Sequence, residues 1–175
     1  TERADAFAGH KGMEDETVAY QLARAEQGDA NAQAWLGHRY YWGVGGVPRD
    51  RVRAFNFLDM AARNGNVEAM YNLGVMHAYG HGVPQDRAAS IRYFREAADR
   101  GYAAAQNGLA LSLTDGGPDN NLTEAFRYFE ASAASNNADG LYNSGIMLRD
   151  GRGVAQDLPR ALSLLRRAAA LDHTA

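Results

Sequence analysis

The chain has 175 residues, of which 46% are apolar and 22% are charged, a composition typical of one globular domain. Its net charge of -3 and pI near 5.9 argue against a nucleic-acid partner, which usually requires a basic face. The absence of cysteine excludes disulfides and thiol chemistry, and no stretch approaches the roughly 18 apolar residues of a membrane helix, so we expect no membrane contact by this segment.

The N-terminal part of the chain precedes the regular pattern. Residues 1–15 show no periodicity and predict an extended arm, whereas residues 16–30 contain a single helix over Glu16 to Gln27 and predict a partial repeat. Because the chain starts at Thr1 rather than at a methionine, we expect it to be a piece of a longer protein.

A glycine-rich phrase then recurs with a period of about 36 residues, which indicates stacked units. It reads GVGGVPRD at 43–50, GHGVPQD at 80–86 and GRGVAQD at 151–157, while a looser form, TDGGPDNN, occupies 114–121. The sequence therefore predicts one continuous solenoid domain. Its four repeats cover residues 31–66, 67–102, 103–137 and 138–175.

The second repeat shows how each unit is built. Apolar spacing predicts a first helix over Val67 to Tyr79 and a second from about Arg87 to Arg100. Between them, Gly80 and Gly82 supply the positive φ angles of the turn, and Asp86 is placed to cap the second helix. The predicted fold is all-α, a right-handed solenoid of helix-turn-helix repeats.

The pattern A-x-x-x-L-G, then G-x-G-V-x-x-D, then A-A-x-x-G resembles the Sel-one-like repeat (SLR) family of tetratricopeptide-like solenoids, over about residues 16–173. A narrower resemblance, carried by RAFNFLDMAARNGNVEAMYNLGVMHAYG at 53–80 and by residues 9–37, is to the luminal repeats of the Sel-one-L/Hrd-three adaptor family of endoplasmic-reticulum-associated degradation. That resemblance implies a non-enzymatic adaptor in the endoplasmic reticulum lumen, membrane-anchored in its full-length form. Its implied partners are a Hrd-type ubiquitin ligase, lectin escorts and misfolded glycoproteins.

Many bacterial proteins share the general repeat, so a second interpretation stays open. In it the chain is a bacterial SLR scaffold, periplasmic or secreted, that binds a signalling or envelope protein.

The residues that suggest chemistry have structural explanations. His77 and His81 have the spacing of two metal ligands on one helix, but His77 aligns with packing positions of the other repeats and His81 falls in the turn. Asp50, Asp86 and Asp157 recur once per repeat at the cap position. We therefore predict no catalytic, cofactor-binding or metal site, and no enzyme.

Surface positions of the first helices form two rows across the repeats. One row reads Trp35, Asn72, Gly108 and Asn143, and the other reads Trp42, Tyr79, Asp115 and Asp150. Exposed Trp and Tyr are typical interface anchors, which predicts a protein-binding surface. Its members are Trp35, Trp42, Asn72, Tyr79 and Asn143. The alternative is that the large rings cover the N-terminal end of the solenoid against residues 16–28.

Two further features concern modification and assembly. Asn121 begins an Asn-Leu-Thr glycosylation triplet, and the same side chain is also placed to cap a helix with Glu124. Near the C-terminus, Leu162, Leu165 and Ala169 stay partly unstacked unless further residues or another subunit cover them, so a homo-oligomer is one expectation.

Overall fold

The computed structural model describes residues 16–117 and 120–172, and within these residues the regular structure is entirely α-helical. The helices are α1 (Glu16–Glu26), α2 (Ala30–Trp42), α3 (Arg51–Arg63), α4 (Val67–Tyr79), α5 (Arg87–Asp99), α6 (Ala103–Thr114), α7 (Leu122–Ala134), α8 (Ala138–Asp150) and α9 (Leu158–Asp172). The arm predicted at residues 1–15 lies outside the described residues.

The chain divides into two compact units between Tyr93 and Phe94, within α5. In the first unit α1 packs on α2, α2 on α3, and α3 on α4. The core of this unit consists of large, fully buried side chains, and the rings of Tyr40 and Phe57 stack at 5.7 Å. Its largest members are Leu36, Tyr40, Phe57, Leu58, Leu73 and Met76.

The second unit repeats this arrangement with its own core. Here α6 packs on α7, α7 on α8 and α8 on α9, while α6 also contacts α8. The buried side chains include Leu109, Leu113, Phe129, Leu141 and Leu148. Each hairpin thus buries its apolar face against its neighbour within the unit, as expected for a repeat protein.

The helix ends follow from local sequence. The helix predicted over Val67 to Tyr79 is observed over those residues, and Gly80 ends it with φ of 67° while its N–H donates to the Met76 carbonyl. Gly82, with φ of 80°, also has the predicted left-handed conformation. The following helix α5 ends at Asp99, one residue before the predicted end.

Carboxylates at the recurring cap position begin the second helices. Asp50 accepts from the Arg53 N–H at 2.9 Å, and Asp86 accepts from the Ala89 N–H at 3.0 Å. Asp157 accepts from the Arg160 N–H at 3.0 Å. The capping role predicted for these three residues is confirmed, and each such cap typically contributes about 1 kcal/mol.

The all-α repeat fold is confirmed, whereas the predicted repeat boundaries and the single continuous domain stay predictions. None of the described helices combines the length and apolar character needed to span a bilayer.

Candidate protein-interaction surface

The first unit carries a groove between α2 and α4. One part, of about 550 Å³, has Trp35, Arg39 and Glu68 among its walls. The adjoining part, of about 220 Å³, lies between Trp42 of α2 and Val75 of α4 and reaches the core side chain Leu58 of α3. His38 and Asn72 line both parts, so we treat them as one feature, the α2–α4 groove. The remaining residues of the smaller part are Tyr41, Tyr71 and Met76.

An arginine is held on the wall of the groove by an aromatic ring. The guanidinium carbon of Arg39 lies 4.5 Å from the centroid of the Trp35 ring, a cation–π geometry. These two residues are four positions apart on α2, where side chains of one helix meet. The pair leaves Trp35 half-buried and places a positive charge beside the groove.

At the C-terminal ends of α2 and α4, four rings form a connected aromatic cluster consisting of Tyr41, Trp42, Tyr79 and His81. Tyr41 meets Trp42 edge to face at 4.9 Å, and Tyr79 stacks on His81 at 5.7 Å. The Tyr41 hydroxyl and His81 Nδ1, 2.6 Å apart, join the two halves. Trp42 is 57% exposed and Tyr79 is 70% exposed, so the outer faces of the cluster are open to a partner.

Positive charges surround this cluster. The guanidinium carbon of Arg51 lies 5.4 Å from the Tyr41 ring centroid. Burial, and then the charges of Arg51 and Arg49, lower the pKa of His81 below its ordinary value. His81 is therefore neutral near pH 7, and its Nδ1 shares a hydrogen bond with the Tyr41 hydroxyl.

These arginines are not neutralised locally. Among the described residues, Arg39, Arg49 and Arg51 form no ion pair with a carboxylate. The nearby carboxylate of Asp50 is engaged by its cap bond and by the Arg53 guanidinium at 3.8 Å. Arg49 and Arg51 therefore give the aromatic end of the groove excess positive charge, and Arg39 adds a positive charge beside the larger part.

Four of the five predicted interface residues lie in or beside this surface. Trp35 and Asn72 line the larger part of the groove, Trp42 and Asn72 line the smaller part, and Tyr79 belongs to the aromatic cluster. The protein-binding role of these residues and the alternative of a cover for residues 16–28 both stay predictions.

The fifth predicted residue is differently engaged. Asn143 belongs to the second unit, where its Nδ2 donates to Asn107 Oδ1 at 2.9 Å between α8 and α6. Its amide thus serves a contact between neighbouring first helices of that unit.

Sequence reasoning missed several side chains of the surface. His38, Arg39 and Tyr41 were not predicted, although His38 and Arg39 stand three and four residues after Trp35, on the same helix face. That spacing is the signal that identifies them. The contact of Tyr41 with His81 joins residues 40 positions apart, and no local pattern predicts it.

Asn121 sits at the start of α7, exposed to solvent. Its Oδ1 accepts from the Glu124 N–H at 3.1 Å, and its Nδ2 donates to Glu124 Oε2 at 3.2 Å. The predicted cap is therefore confirmed. Thr123, the third residue of the glycosylation triplet, is also exposed, and modification of Asn121 stays a prediction.

The two histidines with ligand-like spacing have separate roles. His77 stacks on Tyr93 at 5.6 Å and meets Phe55 edge to face at 5.7 Å, which is a packing environment. His81 belongs to the aromatic cluster. The described part of the chain contains no group of three or more His, Asp or Glu side chains arranged to hold a metal ion.

Comparison with known families accounts for the recurring turns and caps. The Sel1 repeat model matches residues 30–66, 67–102, 103–137 and 138–173. The chain belongs to the Sel1 repeat family. Proteins with Sel1 repeats are generally non-catalytic scaffolds for protein–protein interaction, and the exposed aromatic surface of the first unit fits that role.

Two relatives of this Sel1-repeat chain are plant proteins. It is 36% identical over 98 residues to the ERAD-associated E3 ubiquitin-protein ligase component HRD3B of Arabidopsis thaliana, covering 56% of this chain and 16% of that protein. With HRD3A of the same plant it shares 39% identity over 89 residues, covering 51% and 13%. The chain thus spans less than a fifth of these relatives.

A bacterial structure is similar over more of the chain. The SLR fold of a protective antigen from uropathogenic Escherichia coli strains superposes with a TM-score of 0.84 and 30% identity. The match covers 88% of this chain and 33% of that one. The repeat fold is therefore shared with a bacterial protein of known structure.

Proposed function

We propose that this Sel1-repeat scaffold is a luminal segment of an adaptor for a Hrd-type ubiquitin ligase in endoplasmic-reticulum-associated degradation. In this role the full-length protein is anchored in the membrane and recruits misfolded glycoproteins together with their lectin escorts. The segment supplies binding surface and no catalytic group.

The observation that carries the interaction role is the open aromatic surface. Two large rings, Trp42 and Tyr79, remain more than half exposed beside a groove, whereas the core rings Tyr40 and Phe57 are fully buried. Exposed aromatic side chains next to a preformed cavity are the usual anchors of protein interfaces. The similarity to HRD3A and HRD3B supports the particular assembly.

A bacterial scaffold, periplasmic or secreted, is the second candidate. It is favoured by the 88% coverage of this chain in the match with the Escherichia coli antigen. In that setting the same groove serves a signalling or envelope protein.

The test is co-precipitation from eukaryotic cells that express the chain behind a secretory signal. The chain and the Trp42→Ala variant are compared, with Tyr142→Ala, which alters a 54% exposed tyrosine of α8, as the matched control. The proposal expects Hrd-type ligase components with the wild type and with Tyr142→Ala, and a clear reduction with Trp42→Ala. Absence of ligase components from all three samples overturns the degradation role, and capture of an envelope protein from bacterial cells supports the second candidate.

A further inference from the structure

We propose that the α2–α4 groove binds an extended acidic peptide segment that carries one bulky apolar side chain. The apolar side chain enters the smaller part of the groove beside Trp42, and the flanking carboxylates lie against Arg49 and Arg51. This inference rests on the interaction role proposed above and holds in either compartment.

The cavity has the size and lining for a single side chain. Its volume is about 220 Å³, below the roughly 300–1,000 Å³ that is typical of sites for whole small molecules. Leu58, Val75 and Met76 supply aliphatic and thioether contacts, and the exposed indole of Trp42 stands at its side. The amide of Asn72 adds a polar group that is able to bond a peptide backbone.

The positive charges next to the cavity favour a partner that carries negative charge. Arg49 is exposed, and it packs against Gly43, the residue after Trp42: a Cβ on Gly43 would lie 2.8 Å from Arg49 Cβ. Arg51 lies over Tyr41, and its buried Nε has no hydrogen-bond partner within the described structure. Two guanidinium groups next to an apolar cavity favour carboxylates beside an apolar side chain.

The groove also gives the bound segment a direction. Glu68, exposed at the start of α4, lines the larger part of the groove, away from the smaller cavity. In the larger part the charges of Glu68 and Arg39 offset each other for a run of carboxylates, whereas Arg49 and Arg51 at the aromatic end both attract it. The acidic residues therefore lie at the aromatic end, and the segment continues past Trp35 with uncharged residues.

A second copy of the chain fits this surface poorly. A twofold contact places the same patch of both copies face to face, which brings the arginines of one copy against those of the other. Like charges at an interface oppose association. An acidic partner removes this repulsion, so charge complementarity favours a peptide over self-association.

The test is titration of the 175-residue chain with the acetylated pentapeptide Asp-Asp-Phe-Glu-Glu. The sequence has two tryptophans, Trp35 and Trp42, and both line the groove, so intrinsic fluorescence reports its occupancy without a label. We expect a saturable change that weakens with salt. Replacing the phenylalanine of the probe by alanine weakens binding about tenfold or more, because its ring no longer fills the cavity. The probe Lys-Lys-Phe-Lys-Lys does not saturate.

Protein variants locate the contact. The double variant Arg49→Gln/Arg51→Gln weakens binding of the acidic probe about threefold to tenfold, the effect of losing one exposed and one half-buried charge pair. Arg49→Gln alone changes an exposed residue outside the helices, so it keeps the test free of folding effects. Arg152→Gln, which alters an exposed arginine in the corresponding turn of the fourth repeat, leaves binding unchanged.

The inference is overturned if the acidic probe does not bind saturably, or if the lysine probe binds equally well. It is also overturned if the double variant binds the acidic probe with wild-type affinity. A dimer that Trp42→Ala dissociates, in a chain that binds no peptide, overturns it as well. Peptide binding without recovery of ligase components contradicts the degradation role only. Recovery of ligase components without peptide binding contradicts this inference only.

Discussion

Gly37 lies so close to Leu58 that a Cβ atom on Gly37 would be 2.6 Å from Leu58 Cγ. The second unit has the same relationship, since a Cβ on Gly145 would be 2.8 Å from Leu165 Cγ. In both hairpins the absence of a side chain on the first helix lets a leucine of the second helix fill the space. The close approach of the two helices depends on this pairing.

Gly37→Ala is therefore expected to lower the free energy of unfolding by about 1–3 kcal/mol through overpacking against Leu58. Gly108→Ala is the matched control, because its Cβ would be 3.4 Å from the Phe94 ring, an ordinary contact. Alanine is the better helix former, so the control is expected to be neutral or stabilising by up to about 1 kcal/mol. Urea unfolding measures both, and equal stability of Gly37→Ala and the wild type would refute the packing argument.

Gln33 and Gln106 occupy the same position in two repeats, but their side-chain amides differ in hydrogen bonding. Gln33 donates to the Ala25 carbonyl at 2.9 Å and accepts from Asn64 Nδ2 at 2.9 Å. Gln106 donates to the Ala98 carbonyl at 3.3 Å, while its buried Oε1 has no hydrogen-bond partner in the described part of the chain.

Substitution by methionine should separate the two glutamines, because Met70 occupies this position in the second repeat. Gln33→Met is expected to destabilise by about 1–3 kcal/mol, since it removes both hydrogen bonds of a buried amide. Gln106→Met is expected to be neutral or stabilising by up to about 1 kcal/mol, since it removes an unsatisfied acceptor. Calorimetry compares the two, and similar losses at both positions would speak against this explanation.

The cap and the glycosylation triplet at Asn121 can be tested independently. Asn121→Ala removes the cap bond to the Glu124 N–H and is expected to reduce stability by about 1 kcal/mol. Thr123→Ala keeps the cap, removes the triplet and is expected to leave unmodified protein as stable as the wild type. Mass spectrometry of protein from a eukaryotic secretory pathway checks for a glycan on Asn121 that Thr123→Ala abolishes. Unmodified wild-type Asn121 in that material would remove this support for a luminal location.

The pKa of His81 responds to its arginine neighbours. Arg51→Gln and Arg49→Gln each remove a charge that disfavours the imidazolium, so both are expected to raise the pKa of His81. An NMR titration of the imidazole signals measures the shift, with Arg152→Gln as the control. A pKa that is unchanged or lower in both variants would show that the arginines do not act on this histidine.

The same lowered pKa gives the folded chain a pH dependence of known sign. Below the ordinary histidine pKa of about 6.5 the unfolded chain takes up a proton at His81 more readily than the folded one. Stability from this group is therefore fully present above that pH and is lost as the pH falls towards the folded-state pKa. Urea unfolding of the wild type and of His81→Gln is compared just above and just below the ordinary histidine pKa. The free energy of unfolding is expected to vary less with pH in the variant.

Substitution of Trp42 tests whether its side chain anchors a partner or covers the N-terminal end of the repeats. Because the side chain is 57% exposed, Trp42→Ala is expected to change stability by less than about 1 kcal/mol while it clearly reduces partner binding. Thermal melting and the binding titration are run on the same preparation, with Tyr142→Ala beside it. A melting temperature lowered by several degrees would indicate instead that Trp42 covers the N-terminal end of the repeats.

Local rules predicted the helices and caps because their causes lie within one repeat. Gly80 ends the helix that begins at Val67, and Asp86 caps the next helix by a bond to a residue three positions on. The row containing Trp35 and Asn72 followed from the repeat register, and the structure places both in one groove.

Side-chain contacts between repeats were not predictable in this way. The Tyr41–His81 bond and the amide pair of Asn143 with Asn107 join residues of different repeats. Each depends on rotamers and on the distance between hairpins, which the apolar spacing does not specify. The positive character of the groove was missed for the same reason: Arg49 and Arg51 are near neighbours in sequence, but their position beside Tyr41 and His81 follows only from the fold.

The indole N–H signals of the two tryptophans test most directly whether the α2–α4 groove of the first unit is the docking surface. In ¹H–¹⁵N spectra recorded during titration with Asp-Asp-Phe-Glu-Glu, the Trp42 signal is predicted to shift furthest, and Trp35 to follow with the same saturation point. Backbone signals of α8 and α9 are predicted to stay in place. Saturable shifts confined to α8 and α9, or a titration that moves neither indole signal, would contradict the account.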